Sequence, residues 1–203
     1  IIIGVRGTMN KNLIMLILTS LTFLAVLQPV SAWGAPNHYA IVEEVYNTLP
    51  ADAQKNLDLD KMLDGADDPD YKFMDYEYHH YPDSQEKINY WLGKGREYYL
   101  NEDYNQASYC FGVATHYISD SVCPPHSGGG HSGYQHTKLE LQAIFLTPHL
   151  TKTGDVNGEL AVCSQMSGNS WEDWLKTGDN EDIQQCLNKA ADLSYLAVNN
   201  AVS

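Results

Sequence analysis

The chain has 203 residues, 43% hydrophobic and 19% charged, which fits one globular domain with a small extension and excludes a disordered polymer. A formal charge of −14 excludes a general duplex-DNA binder, which presents a basic face. It leaves room for a site that meets phosphates through bound cations.

Residues 1–32 read as an N-terminal extension and a cleaved export signal, followed by one domain over 33–203. Met9-Asn10-Lys11-Asn12 is a short polar, positive start, and Leu13 to Leu27 form an apolar core. Val30-Ser31-Ala32 then supplies the small residues that a signal peptidase requires. The apolar run is short for a membrane-spanning helix. Cleavage after Ala32 would make Trp33 the first residue of an exported, extracellular protein.

In the remainder, Ile41, Val42, Val45, Tyr46 and Leu49 recur at helical spacing, and Pro50 closes that helix. A second helix is expected from Ala51 to Leu63, ending at Gly65. Residues 65–84 are rich in aspartate, tyrosine and proline and read as an ordered loop. A helix from Gln85 to Leu100 would bury Ile88, Trp91 and Leu92, with Gly93 and Gly95 weakening its second half. Asn101 reads as the N-cap of the next helix, which carries Ala107, Phe111 and Val113 into His116 and Asp120. Residues 127–133 contain four glycines and read as a flexible connection. A helix from Tyr134 to Leu146 is expected, then a polar stretch from Thr151 to Gly158 and a less regular region holding Trp171 and Trp174. Ile183, Cys186, Leu187, Ala190 and Leu193 place a last helix over Asn180 to Val202. No alternating strand run is present, so the expected fold is all-α, a single multi-helix domain. Cysteines 110, 123, 163 and 186 form an even set in an exported chain, so two disulfides are expected, with the pairing open.

The chemistry concentrates in His116-x3-Asp120-x5-His126 and His136-x3-Glu140. Residues four apart share a helix face, so each pair can chelate. Pro124 and Pro125 end the first helix and let His126 turn back toward it. A mixed nitrogen and oxygen donor set suits zinc better than calcium or magnesium, which favour oxygen.

With these motifs come Trp33, His38-Tyr39-Ala40-Ile41-Val42, Gly65-Ala66-Asp67-Asp68-Pro69-Asp70-Tyr71 and His79-His80-Tyr81-Pro82-Asp83. Together, and in this order, they resemble the zinc-dependent phospholipase C and S1/P1 nuclease superfamily, closer to the phospholipase branch. The resemblance implies an all-helical fold with a cluster of about three zinc ions at the base of a cleft. It implies one ion held by Asp70, one of His79 and His80, His116 and Asp120. A second would take His126, His136 and Glu140. The third would take His38, Asp120, and the α-amino group and carbonyl of Trp33. Asp67 is the alternative to Asp70. Asp70 also carries the implied catalytic role, orienting or deprotonating the attacking water.

The implied activity is a secreted phospholipase C that hydrolyses phospholipid by metal-activated water, with peripheral membrane contact and a monomeric state expected. Glu140 supports that branch. A single-strand-specific nuclease is the alternative, favoured by the five-residue step from Trp33 to His38 and by tyrosines able to stack bases. A zinc-binding exported protein without turnover is the third reading, prompted by the short mature length. The acidic residue that phospholipases of this group carry just behind the terminal tryptophan has no counterpart in Gly34-Ala35-Pro36.

Overall fold

A computed structural model describes residues 33–129, 133–151 and 156–203. The expected export segment, residues 1–32, lies outside them, as do residues 130–132 of the glycine-rich connection and residues 152–155 of the polar stretch. Every regular element among the described residues is helical, which bears out the all-α expectation.

Helix α1, Ala35–Thr48, opens with a proline in its first turn, where the missing N–H costs nothing, and buries His38, Ile41, Val42 and Val45. The expected second helix is two: α2, Ala51–Asn56, and α3, Leu59–Asp68. Asp58 separates them by accepting a cap hydrogen bond from the Lys61 N–H at 3.1 Å. Helix α4 spans Ser84–Leu100 and α5 spans Tyr104–Asp120.

Gly65 does not end α3; it is where α3 meets α5. A Cβ on Gly65 would lie 2.1 Å from the Tyr109 carbonyl oxygen, and one on Gly112 would lie 1.9 Å from that of Met62. Two glycines thus let the backbones of α3 and α5 touch. Gly95 works similarly, since a Cβ there would meet the Phe111 ring at 2.4 Å, so α4 runs unbroken. Asn101 closes α4 by donating to the Glu97 carbonyl at 2.9 Å, and Asp103 is the N-cap of α5, accepting from the Gln106 N–H.

The expected loop over 65–84 is also more regular. A π-helical turn, Pro69–Phe73, continues α3, and Met74 ends it in the left-handed region at φ 51°. A 3-10 turn follows at Tyr76–Tyr78. Widened turns of this kind concentrate at functional sites. This one carries Asp70.

Helix α6, Pro124–Ser127, and α7, Tyr134–Ala143, follow; α7 ends three residues before the expected Leu146, which lies in a turn bonded back to Ala143. The region around Trp171 and Trp174 is a long helix, α8, Val156–Thr177. Its glycine and serine content hides the pattern, yet Gly168 sits where α8 runs close to Ser127, since a Cβ there would lie 3.0 Å from the Ser127 carbonyl oxygen. Trp171 and Trp174 stack with ring centroids 5.4 Å apart, and the Trp174 indole donates to Gln142 of α7 at 2.9 Å. Helix α9 spans Asn180–Val202 as expected and packs against α1, α4, α5, α7 and α8.

The core runs along α5, whose residues from Cys110 to Asp120 are all buried. The two expected disulfides are absent: all four cysteines are free, buried thiols. They lie on α5, just beyond it, on α8 and on α9, and Cys123, Cys163 and Cys186 pack in the core as small apolar side chains. Burial pushes the Cys110 and Cys186 thiols up to about 11, which keeps them protonated and unreactive.

Candidate metal centre

The last two turns of α5 converge with three other segments on one buried point. Asp120 is wholly buried, and three imidazoles surround its carboxylate: His38 Nε2 at 3.3 Å from Oδ1, His79 Nδ1 at 2.8 Å from Oδ2 and His116 Nε2 at 3.1 Å from Oδ2. Asp70 Oδ1 joins them at 3.6 Å from His79 Nδ1 and 3.9 Å from His116 Nε2. Each imidazole comes from a different element: α1, the turn before α4, and α5.

Backbone contacts aim these rings. The α3–α5 glycine crossing brings the Ala66 carbonyl 2.7 Å from His116 Nδ1, which leaves Nε2 facing the carboxylates. Ser119 Oγ lies 3.0 Å from His38 Nδ1, and the Trp33 indole donates to the Ser119 carbonyl at 2.9 Å. The His38 and His116 rings stack with centroids 4.1 Å apart. His79 Nε2 points the other way, 3.6 Å from Asp75 Oδ1.

A second group adjoins the first. His136 Nε2 lies 3.2 Å from Glu140 Oε1 on α7, and the His126 ring sits 5.4 Å from that of His136. His126 Nδ1 is 3.0 Å from the His79 carbonyl oxygen, which ties the two groups together.

The alternatives in the sequence occupy different places in the fold. His79 enters the cluster, whereas His80 is part-exposed and lies 3.2 Å from Asp83. Asp70 enters as well, while Asp67 lines a separate pocket of about 280 Å³ with Tyr39 and Tyr71. Trp33 is fully buried, and its main chain neighbours the His38 ring.

The electrostatics fit bound cations. His38 Nε2, both oxygens of Asp120 and Glu140 Oε1 are buried yet align no hydrogen bond, despite the short contacts around them. Uncompensated buried polar groups cost free energy, and buried carboxylates cost more. Burial raises the Glu140 carboxyl, and the charges of Asp120 and Asp70 add to that rise against the opposing pull of His136. A cation would relieve this repulsion directly. Burial lowers His38 to about 3 and His126 to about 4, so both are the neutral imidazoles that a metal requires. Burial also opposes a charge on His116, but the negative charge of Asp120 outweighs it and raises that ring to about 9. Two triads have donor atoms close enough for one ion: His38, Asp70 and His116, and His79, His116 and Asp120.

Sequence reasoning missed Asp75. It accepts hydrogen bonds from Tyr117 Oη at 2.8 and 2.9 Å and pairs with Lys87 Nζ at 2.7 Å. Its signal was the same four-residue spacing that marked the other pairs, with the carboxylate placed before the histidine.

No curated protein and no solved structure matches the chain significantly. The family model for zinc-dependent phospholipase C matches residues 37–186, a span that starts at the His38 motif and runs past Glu140 into α9. With that match covering most of the chain, the protein belongs to the zinc-dependent phospholipase C family.

Proposed function

We propose that the chain is an exported phospholipase C that hydrolyses the glycerol-side phosphoester of a phospholipid. The observation that carries this reading is the convergence of His38, Asp70, His79, His116 and Asp120 on one buried point, with His126, His136 and Glu140 beside it.

In this reading about three zinc ions are held, a number that rests on ligand count and motif order. Asp70, His79, His116 and Asp120 would hold one, and His126, His136 and Glu140 another. The third would be held by His38, Asp120 and the main chain of Trp33, once export processing frees its amino group. Bound zinc would place positive charge at the phosphoryl oxygens and make a water acidic enough to attack phosphorus. The side chains do the rest. Ala66 and Ser119 fix the ring orientations of His116 and His38. Asp70, nearly buried, is the carboxylate assigned to orient the attacking water and hold its proton. The acidic cluster excludes phosphate esters unless cations are present.

The test is a side-by-side assay of the zinc-loaded protein on phosphatidylcholine and on single-stranded nucleic acid. Faster phospholipid turnover supports the reading. Faster nucleic-acid turnover moves it to the nuclease branch, and no turnover of either leaves a zinc-binding protein.

A further inference from the structure

We infer that the outer face of α7 docks on a phospholipid surface and so brings the candidate metal centre to its substrate. This rests on the phospholipase reading above.

Helix α7 presents large apolar side chains to solvent as well as to the interior. His136, Leu139 and Ala143 face inward and are fully buried, with Glu140 turned to His136. The opposite side carries Tyr134, Lys138 and Leu141 at spacings of four and three, which is one stripe of a helix, and the turn after α7 adds Ile144 and Phe145. Tyr134 is 77% exposed, Leu141 58%, Ile144 40% and Phe145 84%. Large apolar side chains seldom gather on a surface without a partner.

The charge on this face indicates which partner. The chain holds 26 acidic residues against 12 lysines and arginines. Between residues 133 and 148, however, the only carboxylate is Glu140, which belongs to the inner face. The outer stripe therefore carries no carboxylate, and its one cation, Lys138, lies at the edge toward α8, with Nζ 5.2 Å from the centre of the Trp174 ring. That combination suits a layer of phosphate-bearing head groups over hydrocarbon. No described helix is long and apolar enough to cross a membrane, so the contact would be peripheral. An interfacial helix sinks roughly 5–10 Å and is about 10–12 Å across. Its inner side, with His136 and Glu140, would then lie close to the head-group plane.

The experiment compares the zinc-loaded protein with the double variant Leu141→Ser/Phe145→Ser, and with Tyr90→Ser as a control at an exposed tyrosine on α4. Sedimentation with phosphatidylcholine vesicles is expected to show partition of the double variant reduced about tenfold, with Tyr90→Ser unchanged. Vesicle hydrolysis should fall in parallel, while hydrolysis of a short-chain, monomerically dispersed phosphatidylcholine stays within about twofold. Unchanged partition overturns the proposal. So does a wild-type dimer that the double variant dissociates, because the face would then be covered by a second copy. Binding is read without turnover, so vesicle binding that depends on these residues without any hydrolysis would sink the enzymatic reading and leave the docking face standing.

Discussion

Asp75 Oδ1 and His79 Nε2 lie 3.6 Å apart, on the opposite side of the imidazole from Nδ1, which sits 2.8 Å from Asp120. The ring thus lies between an outer carboxylate and the buried cluster, with Nε2 close to Asp75 but beyond hydrogen-bond distance. Tyr117 and Lys87 in turn hold Asp75, through contacts of 2.8, 2.9 and 2.7 Å. Carboxylates behind a ligand histidine fix its tautomer and raise its basicity, and their loss costs about 10–100-fold in metal affinity or activity. Asp75→Asn is therefore expected to weaken zinc binding by about that factor in a chelator competition. Asp75→Glu should recover part of the loss. Equal affinity in all three proteins would show that Asp75 only braces Lys87 and Tyr117.

The same carboxylate sets a pH dependence of stability. Burial pushes Asp75 up, but hydrogen bonds from Lys87 and Tyr117 outweigh it and hold the group below the ordinary carboxylate value. The folded protein thus binds the proton less readily than the unfolded chain, whose aspartates titrate at about 3.9. Its stabilising contribution is complete above that value and is lost as pH falls through the lower folded one. Denaturant titrations of zinc-free protein should show Asp75→Asn clearly less stable than wild type at about pH 6. The gap should close below about pH 4. A gap independent of pH would assign the effect to packing.

The helix crossing that orients His116 depends on two missing side chains. Gly65→Ala and Gly112→Ala each drive a methyl into a carbonyl oxygen, at 2.1 and 1.9 Å, and backbone cannot yield as a side-chain tip does. Overpacking of this sort costs about 1–3 kcal/mol or more. For a chain of this size each should lower the melting temperature by several degrees, on the order of 2–4 °C per kcal/mol. Gly93 is the contrast, because it is exposed in mid-α4 with nothing within 4 Å of a Cβ. Gly93→Ala should stabilise by about 0.5–1 kcal/mol. Thermal melts of the three variants decide whether steric closeness or helix propensity governs these sites.

Those glycines also explain what could and could not be read from the residues. Helix α9 and the His-x3-carboxylate pairs follow a period, and period is visible in one dimension. Gly65 looked like a stop signal because its reason lies on another helix, at Tyr109 and Val113. Helix α8 looked irregular for a similar cause, since Gly168 serves the approach to Ser127 and its tryptophans serve α6 and α7. The candidate ligands were legible as residue types. The choice of His79 over His80 was not, because both neighbour the same carboxylate-rich turn and only the fold turns one inward. The cysteines misled through parity: an even count in an exported chain suggests disulfides, and here all four are free, buried thiols.

Trp33 provides the most direct test of the assigned metal set. Its side chain is anchored by the Ser119 carbonyl, one residue before Asp120, and its main chain neighbours the His38 ring. That placement sets the first residue of the proposed mature protein beside the position assigned to His38 and Asp120. An amine can bind zinc only when unacylated and deprotonated, so a peptide bond at Trp33 would remove one donor. Protein beginning at Trp33 is expected to bind about three zinc ions, and protein with one extra residue ahead of it about two under the same chelator buffer. His38→Ala should produce the same loss in the processed form without adding to it in the extended one, since both changes empty a single position. Full stoichiometry in the extended protein would remove the terminal amine from the ligand set, and additive losses would place His38 and Trp33 at different ions.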